Sequence, residues 1–155
     1  MKNKEGFFLL VVLYVDDLLI TRSSTDVLSS INFSLNKAFA MIDLGLLRQF
    51  IGLEVSQKTS RIMISQSRYS LDMLRRFHME DYMAAPFPFL SSIRLEEGGS
   101  TPLAHITLFK KTIGSLLYLT HSRPDISYVV SVVSRYMKEP HELHWKEAKH
   151  ILHYV

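Results

Sequence analysis

The chain has 155 residues, 47% of them apolar, and a formal charge of +3, enough to bury one sizeable core in one domain or a domain and a half. It contains no cysteine, which excludes disulfides, zinc knuckles and thiol catalysis. Residues 1–78 carry ten Lys/Arg against seven Asp/Glu and residues 79–155 carry eight against eight, a small basic surplus that suits contact with a polyanion without establishing it.

In chain order, MKNKEG reads as a tail or as the point where a longer reading frame was cut. The nine apolar residues Phe7–Val15 fall far short of the roughly 20 that span a bilayer. Lys2 and Lys4 mimic a signal-peptide n-region, but Asp16 and Asp17 stand where a small-residue cleavage site belongs. The same pair opposes a membrane anchor over Lys2–Ile20, at about 2.5–3.5 kcal/mol per central Asp, so no membrane partner is expected. Phe7–Tyr14 does not alternate, which suits a strand buried on both faces. Two adjacent carboxylates inside an apolar run must neutralise, find a partner or hold a metal. A strand, a sharp turn carrying both acids and a second strand resolve the conflict, because they lift Asp16 and Asp17 to a sheet rim where Mg²⁺ can hold them.

Ser23-Ser24-Thr25-Asp26 offers N-caps, and Val27/Leu28, Ile31, Leu35 and Ala38/Phe39 predict an amphipathic helix over 25–39. Asp43-Leu44-Gly45 is a turn. Residues 47–57 alternate through Leu47, Ile51, Leu53 and Val55, a strand that Lys58–Arg61 turns back into Ile62–Ile64 as a hairpin. A helix from Ser67 to Phe77 places Ser70, Leu71, Leu74 and Phe77 on one side. Arg68, Asp72, Arg75 and Arg76 share the other, with Asp72 and Arg76 an i,i+4 pair.

Pro86, Pro88, Gly98, Gly99 and Pro102 mark residues 84–105 as a linker. Helical spacing resumes over 106–120 with Ile106, Phe109, Ile113 and Leu116. Pro124 then sits at a first helical position, ahead of Ile126, Val129/Val130 and Val133. A last helix carries Trp145, Ala148, Leu152 and Val155 and lacks a stop signal, so the chain is expected to end inside an element. His141/His144 and His150/His153 have i,i+3 spacing and, with Glu142 or Glu147, can be drawn as a metal site; the plainer expectation is exposed histidines.

Tyr14-Val15-Asp16-Asp17 resembles the YxDD box of reverse transcriptases, and its flanks resemble the Ty1/copia-type branch. Further blocks agree in order: Asp43-Leu44-Gly45 with Phe50–Val55, Ile64-Ser65-Gln66 with Tyr69, Ile113–Thr120, Arg123-Pro124-Asp125-Ile126, and His144-Trp145 with Ala148-Lys149. The resemblance implies an α+β fold, a partial right-hand polymerase palm (an antiparallel hairpin sheet plus helices) over 1–83. A linker over 84–105 leads to a helical thumb or connection over 106–155. It implies RNA-directed DNA polymerisation with RNA template, DNA primer and Mg²⁺, and an intracellular setting. Asp16 and Asp17 would be the metal-binding catalytic carboxylates, with Tyr14 and Val15 beside primer and nucleotide. Arg61, Arg68, Arg75 and Arg76 are candidates for phosphate contacts, with a solvated helix face as the plain alternative.

The family's site also uses a third Asp from an upstream strand. The only acid before Tyr14 is Glu5, and no segment matches the fingers or the downstream ribonuclease H domain. The expectation is therefore a palm-and-thumb fragment of a polyprotein that does not extend primers alone. The rival expectation is a non-enzymatic remnant with at most residual nucleic-acid binding.

Overall fold

The apolar run that opens the chain turns back on itself as a hairpin. The computed structural model describes residues 8–22, 25–89, 95 and 101–155; the MKNKEG tail, the Ser23 and Ser24 caps and Gly98-Gly99 lie outside them. Residues 1–48 and 49–155 form two compact units.

In the first unit, β1 (Leu9–Tyr14) pairs antiparallel with β2 (Asp17–Arg22), from Leu9 opposite Arg22 to Tyr14 opposite Asp17. The register leaves Val15 and Asp16 as a two-residue turn. Val15 has φ +52° and Asp16 is not among the positive-φ residues, the sign pattern of a type II′ turn, which matches the twist of the strands it joins. Helix α1 (Thr25–Ala38) packs on β2, and Leu28, Ile31 and Leu35 are its half-buried face. Beyond its end, Gly45 N–H donates to Asp43 Oδ1 at 2.8 Å while Asn32 Nδ2 of the helix donates to Asp43 Oδ2 at 2.7 Å. The expected Asp43-Leu44-Gly45 turn is thus closed by an aspartate side chain, as such turns commonly are, and tied back to α1.

One expectation fails here. β1 is not buried on both faces: Leu10 through Tyr14 all remain substantially exposed, Leu13 at 71%. Among the described residues β1 has only β2 beside it and α1 lies against β2, so nothing in this sheet covers it.

The second unit begins with a three-stranded antiparallel meander, β3 (Gln49–Phe50), β4 (Leu53–Lys58) and β5 (Arg61–Ser65). The single strand expected over 47–57 is broken at Ile51-Gly52, where φ is +48° and +73°. Two consecutive positive values are the signature of a type I′ hairpin turn. Period-two alternation survives a two-residue turn, so the break is invisible to pattern. The Lys58–Arg61 turn forms as expected, with those two residues paired across it.

Helix α2 (Ser67–Arg76) ends in a Schellman pattern. Met79 N–H reaches Leu74 O at 2.9 Å and His78 N–H reaches Arg75 O at 3.0 Å, with His78 in the left-handed region at φ +56°. Its buried side is centred on Met73, flanked by half-buried Tyr69, Leu74 and Phe77, while the expected Leu71 is 53% exposed. Asp72 pairs with Arg75 at 3.5 Å, one residue short of the expected Arg76.

Three helices complete the unit: α3 (Ile106–Leu119), α4 (Pro124–Ser134) and α5 (Glu142–Tyr154). Phe109, Ile113, Leu116 and Leu119 of α3 meet Ile126, Val129, Val130 and Val133 of α4 and Ala148, Ile151 and Leu152 of α5, joined by Met73. Each such side chain contributes on the order of 1.5–3 kcal/mol by leaving water, so this cluster is the main source of the unit's stability. Pro124 starts α4 as expected; Ile106 is 40% exposed and not part of the core.

The described parts of 84–105 lie along α5. Ala85 N–H donates to His153 O at 2.9 Å, and His150 Nε2 lies 2.8 Å from Phe87 O. Leu103 N–H donates to Pro140 O at 2.9 Å. Among the described residues no helix is long and apolar enough to cross a membrane. The chain is α+β, with two small antiparallel sheets and, among the described residues, five helices.

Candidate functional site

The tip of the first hairpin carries Tyr14, Val15, Asp16 and Asp17. All four are exposed, Tyr14 at 50% and Val15 at 78%. Asp16 occupies the second turn position and Asp17 opens β2 opposite Tyr14. The turn therefore presents two adjacent carboxylates, hard oxygen donors of the kind Mg²⁺ accepts beside water and phosphate. Among the described residues no group of three His, Cys, Asp or Glu side chains is placed to hold a metal ion. Two carboxylates alone leave most of an octahedral shell to water. The two carboxylates fit a cation that keeps water in the rest of its shell. Val15 in the left-handed region is a true outlier for a β-branched residue, and strain of this kind concentrates at functional turns.

Three of the four candidate arginines, Arg68, Arg75 and Arg76, lie on α2. Arg61 opens β5 opposite Lys58, and the backbone N–H of Arg68 in the first turn of α2 donates to Glu54 Oε1 at 2.8 Å. Arg75 is matched by Asp72 at 3.5 Å and Glu80 at 3.8 Å. Arg76 lines a groove between α2 and α3.

Several residues of the other recognisable blocks make contacts within the fold. Gln66 is buried between β5 and α2; its Oε1 accepts from Ser122 Oγ at 2.8 Å, and its Nε2 donates to Tyr118 O at 3.4 Å. Tyr69 Oη donates to Ser115 O at 3.1 Å and Tyr118 Oη to Ile51 O at 2.6 Å, with the two rings edge to face at 4.7 Å. Arg123 grips Asp125 with Nη2 at 2.7 Å and Nε at 3.0 Å, and its guanidinium lies 5.5 Å from the Tyr154 ring centroid. That hydrogen-bonded guanidinium holds the Asp125 carboxyl below its usual range. These contacts tie the start of α4 to the end of α5 and the meander to α3.

The histidines are not the exposed set expected. His144 is 4% exposed and stacked on Tyr136 at 3.9 Å between centroids. Its Nδ1 accepts from His141 N–H at 2.8 Å and its Nε2 faces Leu95 O at 3.1 Å, an arrangement that fixes a neutral imidazole with the proton on Nε2. Burial pushes its pKa down, the Leu95 carbonyl opposes this and His141 adds to it. Both ring nitrogens are thus engaged within the fold, which leaves none for a metal. The full burial of Glu147 was also missed. The i,i+3 pair His141/His144 was itself the available signal, since it has capping-box spacing.

The family profile described as reverse transcriptase (RNA-dependent DNA polymerase) matches residues 2–91, more than half of the chain. The chain belongs to the reverse transcriptase family. Within it, the relatives are of the copia type. The chain is 34% identical over 94% of its length to a retrovirus-related Pol polyprotein from transposon RE2 of Arabidopsis thaliana. It is 34% identical over 97% of its length to the Pol polyprotein from transposon TNT 1-94 of Nicotiana tabacum. An uncharacterised mitochondrial protein of Arabidopsis thaliana is 36% identical over 94% of the chain. The chain spans 10% and 12% of the two polyproteins and 60% of the mitochondrial protein. No solved structure matches it significantly.

Proposed function

We infer that this chain carries the catalytic hairpin of a copia-type RNA-directed DNA polymerase. On this reading Asp16 and Asp17 bind Mg²⁺, Tyr14 braces the hairpin beside the primer terminus and Val15 lines the nucleotide pocket. The hairpin and meander belong to the palm and helices α3–α5 to a thumb or connection. The division runs through residues 84–105, although Met73 of α2 shares the core of the later helices. RNA template, DNA primer and the remaining polyprotein segments are the partners. The bound metal would supply Lewis-acid stabilisation of the phosphoryl oxygens; the chain's own part is to present two carboxylates on a constrained turn.

The observation that carries this reading is the exposed Tyr14–Asp17 tip in a chain of this family. Several residues of the other blocks are engaged in contacts within the chain, whereas this tip faces solvent with two charges. We infer further that the chain alone does not extend primers, because two-metal phosphoryl transfer needs ligands that bridge two cations and two carboxylates are too few. A primer-extension assay with Mg²⁺ and Mn²⁺, run beside Asp16→Asn, tests both points. No extension by either protein is expected. Extension that disappears in Asp16→Asn would show that the chain is itself a polymerase. Complementation by a polyprotein segment that restores extension only with Asp16 intact would support the catalytic reading over a remnant.

A further inference from the structure

The described residues of 84–105 meet α5 at points that run in order along the helix. Ala85 N–H donates to His153 O at 2.9 Å, and His150 Nε2 donates to Phe87 O at 2.8 Å. The Leu95 carbonyl faces His144 Nε2 at 3.1 Å. Glu142 N–H donates to Thr101 O at 2.9 Å, Leu103 N–H donates to Pro140 O at 2.9 Å, and Pro102 forms a bridge with His141. One end thus rests on the last turns of α5 and the other on its start.

The two ends answer a proton differently. At the Ala85–Phe87 end, His150 donates to a carbonyl, which a protonated ring still does, and Ala85 rests on a backbone carbonyl. At the Thr101–Leu103 end, His144 Nδ1 accepts from His141 N–H at 2.8 Å, and a protonated ring has no acceptor. The ring is 4% exposed and stacked on Tyr136, so its charge would be buried at high cost. Burial already holds its pKa below the ordinary value; the Leu95 carbonyl opposes this and His141 adds to it. Tyr136, His141 and, one turn on along α5, Glu147 are the titratable groups beside it. Arg94, Glu96 and Glu97 flank Leu95 in sequence. A protonated ring reaches water by leaving Tyr136 and Leu95, and in doing so it abandons the His141 N–H next to the Pro102 bridge.

We propose that the contacts at the start of α5 form an acid-released latch. Protonation of His144 frees Leu95 and Thr101–Leu103, while Ala85 and Phe87 stay on the far end of the helix. Leu95 and Leu103 are the buried apolar side chains that this end gives up, few enough for opening without loss of the helical core.

Hydrogen exchange of the full chain, followed by NMR between about pH 7.5 and 5, a range spanning the ordinary histidine value, tests the latch. Protection factors remove the intrinsic pH dependence of exchange. Those of the Leu103 and Glu142 amides are expected to fall about tenfold per pH unit below about 6.5, the linkage of one proton, until the lowered folded-state value is reached. They should stand at least about tenfold below that of Ile113 in α3, the mark of a local opening, and Ala85 should show no such fall. His144→Gln keeps an acceptor for His141 and a donor for Leu95 without titrating, and is expected to flatten the profile. His141→Asn keeps the backbone N–H and is expected to retain it. The His144 ring signal of the native chain should titrate over the same range, a reading that needs no variant. Four results would each overturn the latch: a flat profile in the native chain, protection equal to that of Ile113, a parallel fall at Ala85, or a slope that His141→Asn removes.

Discussion

Tyr118 of α3 and Ile51 of the β3–β4 turn are joined by a 2.6 Å hydrogen bond from the tyrosine hydroxyl to the isoleucine carbonyl. The turn residue after Ile51 is Gly52, at φ +73°, and a Cβ added there would run into the same hydroxyl. One contact thus explains two residues 66 positions apart in the chain. Tyr118→Phe should cost about 0.5–1.5 kcal/mol, the net worth of an ordinary hydrogen bond. Gly52→Ala should cost more, because it adds a left-handed penalty of about 1–2 kcal/mol to the displaced tyrosine. Urea unfolding of both variants checks the order; equal losses would remove the steric half of the explanation.

That pair also shows what sequence pattern can and cannot deliver. Helices α1 through α5 were legible because their apolar residues recur at helical spacing, and Pro124 announced a start. A turn at the acids was legible because two acids cannot stay inside an apolar strand, but it takes Val15 and Asp16 and leaves Asp17 to open β2. The Ile51-Gly52 turn was not, since alternation continues through it and the deciding contact comes from Tyr118. Exposure of β1 was illegible for a different reason. An apolar strand advertises that something should cover it, not that the covering residues lie within the same sheet. His144 was read as exposed because its partners, Tyr136 and the Leu95 carbonyl, are set by tertiary structure.

Acidification should destabilise the second unit through His144. In the folded chain its pKa lies below the ordinary value of about 6.5, so the unfolded chain binds more protons between the two. The stability it contributes is fully present above about pH 6.5 and is lost as pH falls through the lowered folded-state value. Protonation would also set an Nδ1 proton against the His141 N–H that now donates to it. Urea midpoints at a series of pH values should decline on this limb, and the decline should be smaller in His144→Gln. A variant with an unchanged pH profile would exclude His144 as the cause.

His78 occupies the left-handed position at the end of α2, at φ +56°, where glycine is the common solution. His78→Gly should raise stability by about 0.5–1 kcal/mol, the left-handed penalty of roughly 1–2 kcal/mol less the added entropy of an unfolded glycine. Thermal melting reads the change directly. His78→Val should lower stability, since a β-branched side chain is worst at positive φ, and a Val variant as stable as the native chain would contradict the helix-end geometry.

The same principle operates at the hairpin tip, with a different consequence. Val15 at φ +52° stands where a type II′ turn ordinarily takes glycine. Val15→Gly should therefore slow amide hydrogen exchange in β1 and β2 by relieving strain, while leaving both carboxylates in place.

Asp16 and Asp17 themselves should bind a divalent cation, weakly. With only two adjacent carboxylates and no third protein ligand among the described residues, the ion keeps most of its water. Affinity should be on the order of millimolar, comparable to the weakest oxygen-ligand sites. Titration with Mn²⁺, followed by paramagnetic broadening of backbone amide signals, should affect Tyr14–Leu18 first. Asp16→Asn/Asp17→Asn should abolish that selectivity, because neutral amides bring no charge to the turn. Competition by Mg²⁺ should restore the native signals. Broadening that begins elsewhere, or that persists in the double variant, would mean that the turn does not provide the cation site. The metal-binding role assigned to the hairpin would then be wrong, whatever the family membership of the chain.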